Sequence, residues 1–85
     1  MSEETVARAS SVLEKYNDML LAKANVQGTA VGLIQREGAY TGEVGIVVMV
    51  DRKRPARELA EEDRIPGELD GIAVDVQEMG IFTAQ

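Results

Sequence analysis

Hydrophobic and polar positions change period along this chain, and each change predicts an element. From Ser2 to about Ala24, apolar residues recur every three or four positions, at Val6, Ala9, Leu13, Tyr16, Leu20 and Ala24. That spacing predicts one stripe of a long amphipathic helix, with Val12, Met19 and Leu21 widening it. Ser2 suits the N-cap, Glu3 and Glu4 suit the positive end of the helix dipole, and Asn25 marks a stop.

The period then shortens to two. Val26–Arg36 predicts a first strand with Thr29, Val31 and Leu33 on one face and Gly28, Ala30, Gly32 and Ile34 on the other. Arg36–Gly42 is polar and glycine-containing, a connection of hairpin length or slightly more, after which the chain returns antiparallel. The run from Gly42 to Asp51 is dense in Val and Ile, too short to cross a bilayer and suited to a pleated, well-protected strand. Val44, Ile46, Val48 and Val50 share one of its faces, and Gly45, Val47 and Met49 share the other.

Pro55 sits where a helix begins, so Pro55–Asp63 predicts a short second helix. Pro66-Gly67 is a loop anchored by Ile65 and Leu69, and Asp70-Gly71 is a tight-turn signal. The last strand is Ile72–Met79, with Ile72, Val74 and Val76 facing inward and Ala73, Asp75 and Gln77 outward. Residues 1–80 are therefore read as one domain and residues 81–85 as a C-terminal tail.

Helix, strand, strand, helix, strand predicts an α+β fold, a two-layer sandwich with a three-stranded mixed sheet. The second helix would cross over between strands two and three, and the strand order stays open. With the helices over the valine-rich face, the opposite face presents small and apolar residues over two of three strands, where a solvated face would carry charge. Gly28, Ala30, Gly32, Ile34, Val47 and Met49 are accordingly candidates for a docking interface.

Composition narrows the chemistry. Eighty-five residues support one core, burying roughly 60 to 65% of the unfolded surface. Tyr16, Tyr40 and Phe82 are the three aromatics, so that core is aliphatic. Cysteine and histidine are absent, which removes disulfides, thiolate metal sites and every Cys- or His-based nucleophile or base. Asp75 with Glu78 makes no convincing acid–base pair, because residues three apart on a strand point to opposite faces. No enzyme, cofactor or metal site is predicted.

The net charge of −6 disfavours nucleic acid and anionic membrane as partners. Against that background, Arg52, Lys53, Arg54 and Arg57 place four of the nine basic residues within six positions. They form a solvated loop or a local anion patch. The acidic N-terminus leading into an amphipathic stretch lacks the pattern of a secretory signal, and the expectation is a cytoplasmic protein.

Several segments taken together carry a resemblance. Asn25-Val26-Gln27-Gly28 with Val31-Gly32, Thr41-Gly42-Glu43 running into Ile46–Val50, and Arg52-Lys53 with Pro55 are its first part. Glu58-Leu59, Glu61–Pro66 and Asp70–Val76 complete it. Over roughly Leu20–Gly80 the chain resembles the small N-terminal domain that precedes the protease domain in a group of bacterial trypsin-like serine peptidases. Thr29 and Ala30 stand where that family more often has Val-Gly. Ala60 stands where it often has proline, which would let the second helix run longer.

With no histidine there is no Ser-His-Asp triad, and peptidase activity does not carry over. The resemblance implies an accessory domain. The expected function is a non-catalytic protein-interaction or oligomerisation module, partnered by a second copy or a peptidase domain. The alternative is a propeptide-like regulator or inhibitor of a serine peptidase acting through residues 81–85.

Overall fold

A computed structural model describes residues 3–79. Helix α1 spans Glu3–Leu21, and the strands are β1 (Val26–Arg36), β2 (Ala39–Val50), β3 (Glu68–Leu69) and β4 (Ile72–Glu78). The fold is α+β with one long helix at its start, and its sheet is mixed. β1 pairs antiparallel with β2, β2 parallel with β4, and β4 antiparallel with β3, in the order β1-β2-β4-β3.

The α1 stripe is narrower than the spacing predicts. Ala9, Val12 and Leu20 are buried, Val6, Leu13 and Tyr16 are partly so, and Met19 and Leu21 are exposed. The buried residues join Val44, Ile46, Val48, Val50 and Ile72 in one core. Each Val, Leu or Ile side chain among them contributes about 1.5–3 kcal/mol on full burial. The helix ends at Leu21, and Asn25 completes the turn to β1 in a left-handed conformation with φ 71°. Asparagine tolerates that conformation better than most residues. Ser2, the expected N-cap, lies outside the described residues.

Three expectations need correction. The sheet has four strands instead of three, because Glu68–Leu69 pairs with β4 through a two-residue turn at Asp70-Gly71, with φ 49° and 82°. Positive φ at both positions is the hairpin turn that Asp-Gly favours, whereas a two-residue strand is too short to show a period. The connection between β1 and β2 is likewise only Glu37-Gly38, with φ 55° and 82°, and the ladder resumes at Arg36 and Ala39.

The third concerns Pro55–Asp63, which is not a helix. It forms two 3-10 turns, Ala56–Glu58 and Glu61–Asp63, and Ala60 between them is extended at φ −60°, ψ 150°. The longer helix expected from alanine at position 60 is therefore absent among the described residues. So short a segment is marginal as a helix by itself, and tertiary bonds hold it otherwise. Lys23 Nζ donates to the Glu62 carbonyl at 2.6 Å, and the Ala24 amide donates to Asp63 Oδ1 at 2.9 Å.

Two irregularities shape β1. Its register shifts between Val26 and Gly28 and again between Leu33 and Gln35. The first bulge puts Val26 on the core side opposite Val50. At the second, three residues of β2 stand opposite Ile34. Gly42 turns there with φ 85°, and Thr41 Oγ1 donates to the Ile34 carbonyl at 3.2 Å.

Candidate functional site

The face away from α1 is not flat. β1 and β4 are separated by β2, so in a flat sheet their backbones would lie roughly 9.5 Å apart. Yet the Gln35 amide on β1 donates to Asp75 Oδ2 on β4 at 2.8 Å, and Gln77 Nε2 donates to the same oxygen at 3.0 Å. Gln77 Nε2 also makes a long 3.5 Å contact with the Leu33 carbonyl. The end of β1 thus curls over β2 toward β4, and the second bulge supplies the bend.

That curl gives the candidate interface residues two different fates. Ile34 and Val47 are buried, at 2% and 7% exposure. They lie outside the main core cluster and belong to a small second packing region. Gly45 makes it possible. A Cβ on Gly45 would stand 2.5 Å from the Ala73 carbonyl oxygen and 2.8 Å from Ile34 Cγ2, so Ile34 occupies the space a side chain would need.

Gly28, Ala30, Gly32 and Met49 remain half-buried. Met49 Cε reaches over Gly28, 3.2 Å from where a Cβ would be, while a Cβ on Gly32 would meet only Val47 Cγ2 at an ordinary 3.6 Å. Asp75 and Gln77, expected as outward polar positions, are half-buried and serve as the latch. Their alternation with Val74 and Val76 was legible, but a partner two strands away was not.

The basic segment lies at the other end of the sheet, where β2 finishes. Arg52, Lys53 and Arg54 line a cleft of about 210 Å³ beside the carboxyl ends of β2 and β4, and Arg64 joins them from beyond the second 3-10 turn. Arg57 is exposed and is not among the lining residues. Val50, Leu59, Ile65 and Val76 give the cleft an apolar floor. Arg64 and Ile65, far from the basic run in sequence, had no local signal to join them to it.

Two carboxylates near these cations are bonded to backbone amides, while Asp51 Oδ1, one residue before Arg52, is buried without a hydrogen-bond partner. Glu78 Oε2 accepts from the Lys53 backbone amide at 3.3 Å, and Asp63 Oδ1 is held by the Ala24 amide. Asp75 and Glu78 are therefore tied to separate backbone amides. No group of three or more Asp or Glu among the described residues is arranged to hold a metal ion.

Elsewhere, α1 is fastened to the β3–β4 turn. Lys15 Nζ and Asp70 Oδ2 are 2.9 Å apart, and Tyr16 donates to Asp70 Oδ1 at 2.8 Å. The Lys15 ammonium, followed by the Tyr16 hydroxyl, holds the Asp70 carboxyl below its ordinary pKa. Bonding to Asp70 in turn raises that of Lys15.

No helix among the described residues is long and apolar enough to cross a membrane. The tail, residues 81–85, lies outside the described residues, and with it the inhibitory contact expected there. Compared with models of protein families and with curated proteins, the chain matches none of them.

Proposed function

We propose that this domain is a non-catalytic interaction module that associates with a second copy of itself along β1. The observation that carries this reading is the state of that edge. β1 is the outermost strand on its side of the sheet, and its outer row of backbone groups is a template for another strand. Proteins usually blunt such an edge with charge, proline or irregularity. Val26–Gln35 contains no charged residue and no proline, and between its two bulges Gly28–Leu33 pairs in regular register with β2 alone.

A second copy suits this edge better than an arbitrary partner. Two antiparallel β1 strands related by a two-fold axis would place uncharged residues opposite one another, so no like charges meet at the joint. The repulsion between two copies of net charge −6 acts only at longer range, where salt screens it. Gly28, Ala30 and Gly32 leave room on the face beside the joint. In this reading the domain is a two-layer sandwich whose helix side is occupied by its own core. The resemblance to the accessory domain of serine peptidases fits a role in attachment.

Molar mass by light scattering over a micromolar concentration series tests the reading. The natural chain is expected to dimerise, and Gly32→Arg and Ala30→Lys to remain monomeric with unchanged circular dichroism. A natural chain that stays monomeric throughout, or variants that dimerise equally well, would remove β1 from consideration.

A further inference from the structure

We infer that the cleft at the carboxyl ends of β2 and β4 binds a small amphiphilic anion, an aliphatic carboxylate with its head group at Arg52, Lys53 and Arg54. This site is separate from the β1 edge. Its place in the fold comes first. Within an otherwise antiparallel sheet, β2 and β4 form the parallel pair, and the crevice beyond the carboxyl ends of parallel strands is a recurrent position for ligands.

Charge comes second. The protein carries fifteen acidic residues, yet among the described residues no ion pair involves the side chains of Arg52, Lys53 or Arg54. The two salt bridges found there join Lys15 to Asp70 and Arg36 to Glu43. Three cations bordering one cleft, with no carboxylate ion-paired to them among the described residues, repel one another, and an anion between them relieves that repulsion. Arg52 and Arg54 supply forked donors that match a planar carboxylate.

The lining then selects the kind of anion. Leu59, Ile65 and Val76 offer an apolar floor, which free phosphate or a nucleotide would leave unused. Asp63, also in the lining, and Glu78 nearby bring negative charge close enough to penalise a dianion more than a monoanion. About 210 Å³ is below the roughly 300–1,000 Å³ of pockets for drug-sized ligands, which suits a hydrocarbon chain of several carbons.

Nuclear magnetic resonance titration of the full chain with sodium octanoate tests the inference. Acetate supplies the head group alone, 1-octanol the apolar body alone, and vesicles of an anionic phospholipid a membrane source of the same chemistry. Saturable amide shifts are expected at Asn25, Arg52–Arg54, Ile65 and Val76, with octanoate bound at least about tenfold more tightly than either fragment, the scale of one charge-assisted contact.

The double variant Arg52→Gln, Arg54→Gln should weaken octanoate by about tenfold or more, since both charged partners are removed. Its spectrum should retain native dispersion, because both residues are exposed. Absence of saturable shifts, shifts centred elsewhere, equal binding of 1-octanol, or an unweakened double variant would overturn the inference. Binding to vesicles without binding to free octanoate would also overturn it.

Discussion

The carboxylate of Asp75 on β4 accepts a 2.8 Å hydrogen bond from the backbone amide of Gln35 on β1, reaching past the strand that lies between them. This contact holds the curl of the sheet and divides the face away from α1 into a closed end and an open one. Asp75→Ala leaves the Gln35 amide without its partner and should cost about 1–3 kcal/mol in urea unfolding. Asp75→Asn keeps an acceptor oxygen and should recover most of the loss. Hydrogen exchange at Gln35 should accelerate in the alanine variant, and an unchanged rate there would contradict the latch.

Gly45 and Gly32 are adjacent partners in the β1–β2 ladder, but they should respond oppositely to the same change. Gly45→Ala drives a methyl group against the Ala73 carbonyl and Ile34, an overpacking expected to cost about 1–3 kcal/mol or more. Gly32→Ala meets only an ordinary contact with Val47, and should be neutral or stabilise by about 0.4–1 kcal/mol through the unfolded chain. Paired thermal melts decide this, and equal effects would place Gly45 in a roomier setting than the one described.

Ile34→Ala tests the second packing region itself. On an open face the substitution would be nearly silent. At 2% exposure it should cost about 2–5 kcal/mol, the range for truncating a buried isoleucine. Val47→Arg, for the same reason, should unfold the domain and is unsuited to testing association, unlike Gly32→Arg.

The Lys15–Tyr16–Asp70 cluster predicts a dependence on pH. Asp70 has a lowered pKa in the folded state, so its contribution is present above the unfolded value near pH 4 and is lost as pH falls through the lower folded value. Lys15, with a raised pKa, contributes below its unfolded value and loses that contribution as pH rises through the folded one, in strong alkali. Asp70→Asn removes the charge while preserving tolerance for the left-handed turn at φ 49°. Thermal melts should show the natural chain above the variant at pH 7 and the gap closing toward pH 2. A gap of constant size would assign the difference to the turn.

The sequence by itself determined which residues meet in the main core. Periods of 3.6 and 2 belong to the backbone, so Ala9 and Leu20 could be set against Ile46, Val48 and Val50 without coordinates. Asp70-Gly71 likewise marked a tight turn, although the fourth strand it creates was too short to declare itself, and the Arg36–Gly42 connection was read longer than the Glu37-Gly38 turn it contains. Only the tertiary structure decided that Ile34 and Val47 are buried on the second face, that Asp75 spans two strands, and that Arg64 and Ile65 join the basic run around one cleft. It also broke Pro55–Asp63 into two turns against the α1–β1 connection. Each of these depends on bulges, sheet curl or contacts between residues distant in the chain, and local pattern carries no record of such distances.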